Sequence, residues 1–130
     1  LILMGYGVMA NSCLEAAKIL EREGISATVV DPRFVKPLDQ DLLGKLFDQN
    51  VPIITLEDHS VMGGFGSAVL ELASQLGKNP QIHMLGIPDR FIEHGNRQQI
   101  LKNLWLDAEG VVSYIKMHVM DKVKVTLSAR

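Results

Sequence analysis

Glu57, Asp58 and His59 stand side by side, two carboxylates and an imidazole of the kinds that serve general acid and base chemistry. Neighbours on an extended segment point to opposite sides, so three adjacent groups seldom converge on one substrate. A few residues on, Gly63-Gly64-Phe65-Gly66-Ser67 opens what reads as a helix, whose free N–H groups would suit an anion. The two carboxylates just upstream would repel that anion. A tight turn and close backbone packing are therefore the expected purpose of these glycines.

A second glycine pattern, Gly5-Tyr6-Gly7-Val8-Met9-Ala10, follows an apolar run and imitates the G-x-G-x-x-A dinucleotide fingerprint. Asp31 then falls about where a ribose-binding acid would sit. Two details speak against a nicotinamide cofactor. Ser12 and Glu15 form a capping-box pair that puts the helix start near Ser12, well beyond Gly7. Pro32 also restricts the backbone of Asp31. A structural strand-to-helix turn is expected instead. Of the remaining histidines, His83 lies in a strand run and reads as packed or hydrogen-bonded, and His118 as a surface or edge residue. His94 sits in a loop with Asp89, Arg90, Phe91, Ile92 and Glu93, where an ion pair or a pH-sensitive contact is conceivable, although loop packing is favoured over catalysis.

These groups must be carried by regular elements, and the apolar pattern supplies them. Leu1 to Met4, Ala27 to Val30, Val51 to Leu56 and Ile82 to Leu85 read as buried strands. Between them Cys13, Ala16, Ala17 and Leu20, and again Val69, Leu72, Ala73 and Leu76, repeat at i, i+3, i+4, i+7, each an apolar stripe on a helix. Gly24 and Gly77 end these helices. Leu42, Leu43, Leu46 and Phe47 mark a helix after Pro37 with Asp39 as its cap. Beyond Gly95 the pattern is helical, through Ile100, Leu101 and Leu104, then Val111, Val112, Ile115 and Val119 behind a cap at Asp107. Val123 to Leu127 reads as a short strand or a tail. Strands alternating with helices predict an α/β fold, an open, mostly parallel sheet with helices on both faces.

The 130 residues fit one domain, 1–130, able to bury a core without disulfide or metal staples. With 47% apolar and 22% charged residues and a net charge of −2, there is no electrostatic footprint for nucleic acid or an anionic membrane. Cys13 is the single cysteine, which excludes an internal disulfide, and no Cys/His set has zinc-ligand spacing; a reducing compartment is the simplest reading. No apolar run reaches the roughly 18 residues of a membrane span. The chain opens on Leu1-Ile2-Leu3-Met4, already strand-like, as expected for a piece of a longer protein.

Three segments together carry a family resemblance: Asp31-Pro32-Arg33-Phe34-Val35-Lys36-Pro37-Leu38-Asp39, Met62-Gly63-Gly64-Phe65-Gly66-Ser67-Ala68 and Leu85-Gly86-Ile87-Pro88-Asp89-Arg90-Phe91-Ile92-Glu93-His94-Gly95. In this order and spacing, and followed by Leu106-Asp107-Ala108-Glu109-Gly110, they resemble the C-terminal domain of the 1-deoxy-D-xylulose-5-phosphate synthases, in the transketolase superfamily. The resemblance covers nearly the whole chain. It implies a transferase that joins pyruvate, after decarboxylation on thiamine diphosphate, to glyceraldehyde 3-phosphate for isoprenoid, thiamine and pyridoxal precursors, in a bacterial cytoplasm or a plastid stroma. It also implies that thiamine diphosphate and Mg²⁺ are held by the N-terminal and middle domains, whose motifs do not occur here. The matched domain then has a structural and dimer-contact role, and no catalytic, cofactor-binding or metal-binding residue is carried onto a position of this chain.

The implied partners are the rest of the enzyme chain and a homodimer partner, with no nucleic acid and no membrane. Asp89, Arg90, Phe91, Ile92, Glu93 and His94 are the candidate interface, Phe91 and Ile92 as apolar anchors and the charges as rim. The competing expectation is that Phe91 plugs the domain's own core. Other readings are the C-terminal domain of a 2-oxo-acid dehydrogenase beta subunit, or a free-standing interaction module of the same fold.

Overall fold

The computed structural model describes residues 1–120, so the expected segment from Val123 to Leu127 lies outside the described residues. Four strands, β1 (Ile2–Gly5), β2 (Thr28–Val30), β3 (Ile53–Ser60) and β4 (Ile82–Ile87), form one parallel sheet in the order β2-β1-β3-β4. Five helices follow in turn: α1 (Met9–Arg22), α2 (Gln40–Phe47), α3 (Phe65–Gln75), α4 (Arg97–Asn103) and α5 (Ala108–Ile115), the last running into a wider π-helical turn over Lys116–Met120.

Alternation along each strand divides the core in two. Leu3, Ile54 and Leu56 face one side, where α1, α4 and α5 cover them with Met9, Cys13, Leu20, Leu101 and Ile115. Ile2, Met4 and Ile53 face the other, packed on Leu43, Phe47, Phe65, Val69 and Leu72 of α2 and α3. Both faces of a parallel sheet must be covered because its crossovers deposit helices there. The expected α/β layering is therefore the observed one.

Local punctuation follows the same chemistry. Asp39 Oδ1 accepts from the Leu42 N–H at 2.9 Å and Asp107 Oδ1 from the Gly110 N–H at 2.9 Å, satisfying donors at the starts of α2 and α5. Gly24 and Gly77 take the left-handed conformation just past α1 and α3, with φ of 79° and 63°. One expectation fails. Helix α1 begins at Met9 rather than near Ser12, and Ser12 and Glu15 lie inside it, Glu15 pairing with Lys18 at 2.7 Å. The turn through Gly7, at φ 61°, lets Tyr6 and Gly7 carbonyls accept from the Met9 and Ala10 N–H groups. These bonds start the helix three residues before the capping-box pattern.

Strand β3 is also longer than its apolar run. Leu56 pairs with Leu85 and Ser60 with Ile87, so Glu57, Asp58 and His59 stand opposite Gly86 alone, in a bulge. Bulges re-aim side chains at a sheet's edge. Gly86 makes room for this one, since a Cβ there would come within 3.0 Å of Glu57 Cγ and of the His59 carbonyl oxygen.

Candidate functional site

In this strand order the chain leaves β1 toward β2 on one side and returns to β3 on the other, so β1 and β3 flank the topological switch point. Ligands of open α/β sheets bind beyond the strand carboxyl ends at such a point. A crevice of about 590 Å³ opens there. Its walls include Tyr6, Val8, Lys36, Glu57, His59 and Glu71. Tyr6 stacks on Phe65, at 5.5 Å between ring centroids, and both line it.

Glu57 decides what the crevice can do. Its side chain is 1% exposed, and its two oxygens accept from the Phe65 N–H at 2.6 Å and the Gly66 N–H at 2.9 Å. Those are donors of the first turn of α3, the groups that make a helix N-terminus attractive to anions. A carboxylate of the protein itself fills the anion position, so the sequence-level expectation of a structural glycine turn acquires a specific partner. Gly64 and Gly66 permit the approach: a Cβ on Gly64 would collide with Glu57 Oε2, and one on Gly66 would come within 2.6 Å of Thr55 Oγ1.

The neighbours of Glu57 diverge as alternation requires. Asp58 turns to the opposite face and accepts from Arg97 Nη2 at 2.6 Å and Nε at 3.2 Å, tying α4 to the end of β3. His59 is largely exposed, its Nδ1 3.0 Å from the Ser60 carbonyl and 3.9 Å from Glu57 Oε2. The three groups do not gather into an acid/base set. Among the described residues, no three of His, Cys, Asp and Glu cluster as a metal-binding group.

Gly5 packs strand to helix, because a Cβ there would come within 2.5 Å of Ala10 Cα and 2.6 Å of the Met9 carbonyl. Asp31 is exposed and accepts from the Arg33 N–H at 3.2 Å, closing a turn. His83 is half-buried, with Nδ1 3.1 Å from the Tyr114 hydroxyl, and the exposed His118 ring packs on Tyr114 with centroids 4.6 Å apart. Cys13 is fully buried, and burial pushes its thiol up to about 12. In the loop after β4, Asp89, Arg90, Glu93 and His94 are exposed and Ile92 is half-buried. Phe91 is fully exposed, at 104% of its reference area, so the expectation that it plugs the domain's own core is overturned. Sequence reasoning missed the Asn96 cap of α4, whose Oδ1 accepts from the Gln98 N–H at 2.9 Å. It also missed Glu57 as the partner of α3.

Residues 1–111 match the model for the C-terminal domain of transketolase. The chain belongs to the transketolase C-terminal domain family. The chain is 46% identical over 109 residues to a 1-deoxy-D-xylulose-5-phosphate synthase of Symbiobacterium thermophilum, covering 84% of this chain and 17% of that protein. A synthase of the same name from a Geobacillus species is 40% identical over 125 residues, covering 95% of this chain and 20% of its own. One from Syntrophotalea carbinolica is 43% identical over 115 residues, covering 88% and 18%. This transketolase C-terminal domain thus spans about a fifth of the length of the curated relatives it matches. A solved structure described as a split-gene transketolase in an inactive beta4 tetramer superposes with a TM-score of 0.81 at 38% identity, over 92% of this chain and 39% of that one. No helix among the described residues is long and apolar enough to cross a membrane.

Proposed function

We propose that this chain is the C-terminal domain of a 1-deoxy-D-xylulose-5-phosphate synthase, the transferase that condenses pyruvate with glyceraldehyde 3-phosphate. The observation that carries the reading is the 40–46% identity to proteins of that name across most of the chain. Within that enzyme the domain serves structure and contact. Thiamine diphosphate, with Mg²⁺, supplies the carbanion chemistry of such synthases. The residues here do not suit its diphosphate: the α3 donors that would meet a phosphate are taken by Glu57, and the carboxylate would repel the anion. The cofactor belongs to the remainder of the enzyme.

The contact role rests on the loop after β4. Phe91 projects fully into solvent next to the half-buried Ile92, and the exposed Asp89, Arg90, Glu93 and His94 flank the pair in the chain, as an apolar anchor with a charged rim requires. Its partners are the rest of the enzyme chain and the second protomer of a homodimer. Product analysis of the full-length enzyme tests the assignment. Pyruvate and glyceraldehyde 3-phosphate should yield 1-deoxy-D-xylulose 5-phosphate. Acetyl transfer to a lipoyl acceptor instead would make the chain part of a 2-oxo-acid dehydrogenase beta subunit and refute the synthase.

A further inference from the structure

The four most exposed large apolar side chains among the described residues are Val8 at 60%, Phe34 at 61%, Met62 at 67% and Phe91 at 104%. They follow β1, β2, β3 and β4 respectively, one on each loop. Parallel strands put all four loops at the same edge of the sheet. The other exposed apolar residues, Leu14, Leu42, Leu70, Leu76, Trp105 and Met117, lie between 38% and 49% and are spread over the helices and their ends. Scattered surface apolar groups are ordinary, but a set confined to one edge is an interaction signature. Val8 lines the switch-point crevice, while Phe34 and Met62 directly precede its lining residues Val35 and Gly63. The four together expose on the order of 500 Å² of side chain, the scale of a functional patch.

Building on the contact role proposed above, we infer that the crevice, with Val8 in its wall and Phe34 and Met62 beside its lining, is the docking surface for the region of the same polypeptide that precedes Leu1 in the full-length enzyme. Two observations select that occupant. The chain covers only 17–20% of the relatives it matches and belongs to a C-terminal domain family, so in the synthase proposed above a body about four times its size would precede it. Covalent linkage holds that body at high effective concentration, so an interdomain contact of modest area suffices to close. A second copy of this domain fits poorly. A two-fold contact must be self-complementary, and a concave crevice facing itself leaves a void between its rims. The crevice instead suits a protruding segment, whose apolar side chains would meet the rim while Lys36, His59 and Glu71 offer polar partners within.

Photo-crosslinking in the full-length enzyme tests the assignment. With the photoreactive amino acid p-benzoylphenylalanine placed at Phe34, and separately at Met62, irradiation should join each site to peptides preceding Leu1, at monomer mass on a denaturing gel. Crosslinks at dimer mass would assign the edge to a second copy, and the absence of crosslinks would show it to be solvent-facing; either overturns the inference. Hydrogen exchange provides an independent reading. Phe34→Ser with Met62→Ser should speed exchange of the captured peptides about five- to thirtyfold, the ratio that corresponds to losing an anchor or two, whereas Leu70→Ser on the outside of α3 should leave it unchanged. Equal exchange in the double variant and the parent overturns the inference as well. The synthase assay on the unsubstituted enzyme is read separately, so a wrong activity and a wrong docking edge give different failures.

Discussion

Replacing Glu57 by Gln keeps the side chain's size and removes one acceptor and a charge from the start of α3. The carboxylate accepts two backbone N–H bonds in a fully buried setting. Hydrogen bonds to a charged group contribute roughly 1.5–3 kcal/mol, a neutral replacement about 1, and a buried donor left facing an amide NH₂ costs about 1–3 kcal/mol. Relief from burying a charge offsets part of this. The net loss should be about 2–3 kcal/mol, against a total stability of roughly 6–20 kcal/mol for a chain of this length, so the variant stays folded. Its melting temperature should fall by roughly 6–15 °C. Asp58→Asn is the internal control: that carboxylate is partly exposed and its Arg97 partner more so, and such pairs are worth about 1 kcal/mol or less. Urea unfolding followed by circular dichroism gives both values. A Glu57→Gln variant within 0.5 kcal/mol of the parent would mean that the carboxylate does not hold the helix start.

The remaining expectations concern positions whose geometry is equally explicit. Cys13 should resist iodoacetamide in the folded chain at pH 8 and react once urea unfolds it, as mass spectrometry will show. Because its thiol is raised from 9.0 to about 12 in the fold, the thiol's contribution to stability is intact below pH 9 and declines as pH rises from there toward 12; Cys13→Ala should flatten that part of the curve. Gly5→Ala should destabilise far more than Gly7→Ala in thermal melts. The first forces a Cβ into Ala10 and Met9 backbone, whereas the second meets nothing within 4 Å and carries only a left-handed strain of about 1–2 kcal/mol. Neither variant should change any affinity for NAD, and micromolar NAD binding by the parent would refute the turn reading. Phe91→Asp should leave the melting temperature of the 130-residue chain within about 2 °C of the parent, since the side chain touches no core, while weakening contact in the full-length enzyme.

The sheet, its two covered faces and the caps at Asp39 and Asp107 were legible in the sequence because they rest on local signals: apolar periodicity, a polar residue just before a stripe, a glycine just after it. The start of α1 was misread because two local signals competed. Ser12 and Glu15 have capping-box spacing, but the Gly7 turn already supplies acceptors for Met9 and Ala10, and a helix that has begun cannot begin again. Glu57 stands out in the sequence for its chemistry and not for its role. Its partners lie eight and nine residues away, beyond any local pattern, and only the bulge and the glycines at 64, 66 and 86 bring them together. An acid at the end of a buried strand, followed by glycines that open a helix, is the signal that would have found it. Likewise no local pattern sets Val8, Phe34 and Met62 apart as a group. Only parallel topology places them on one edge with Phe91.

The proposed function places this domain in a thiamine-dependent synthase without giving it the chemistry. The most direct measurement is a proton NMR assay of pyruvate and glyceraldehyde 3-phosphate, with thiamine diphosphate and Mg²⁺ added, run in parallel on the full-length enzyme and on the 130-residue chain. The account predicts 1-deoxy-D-xylulose 5-phosphate from the full-length enzyme and none from the chain alone. Product formed by the chain, or none formed by the full-length enzyme, would contradict it.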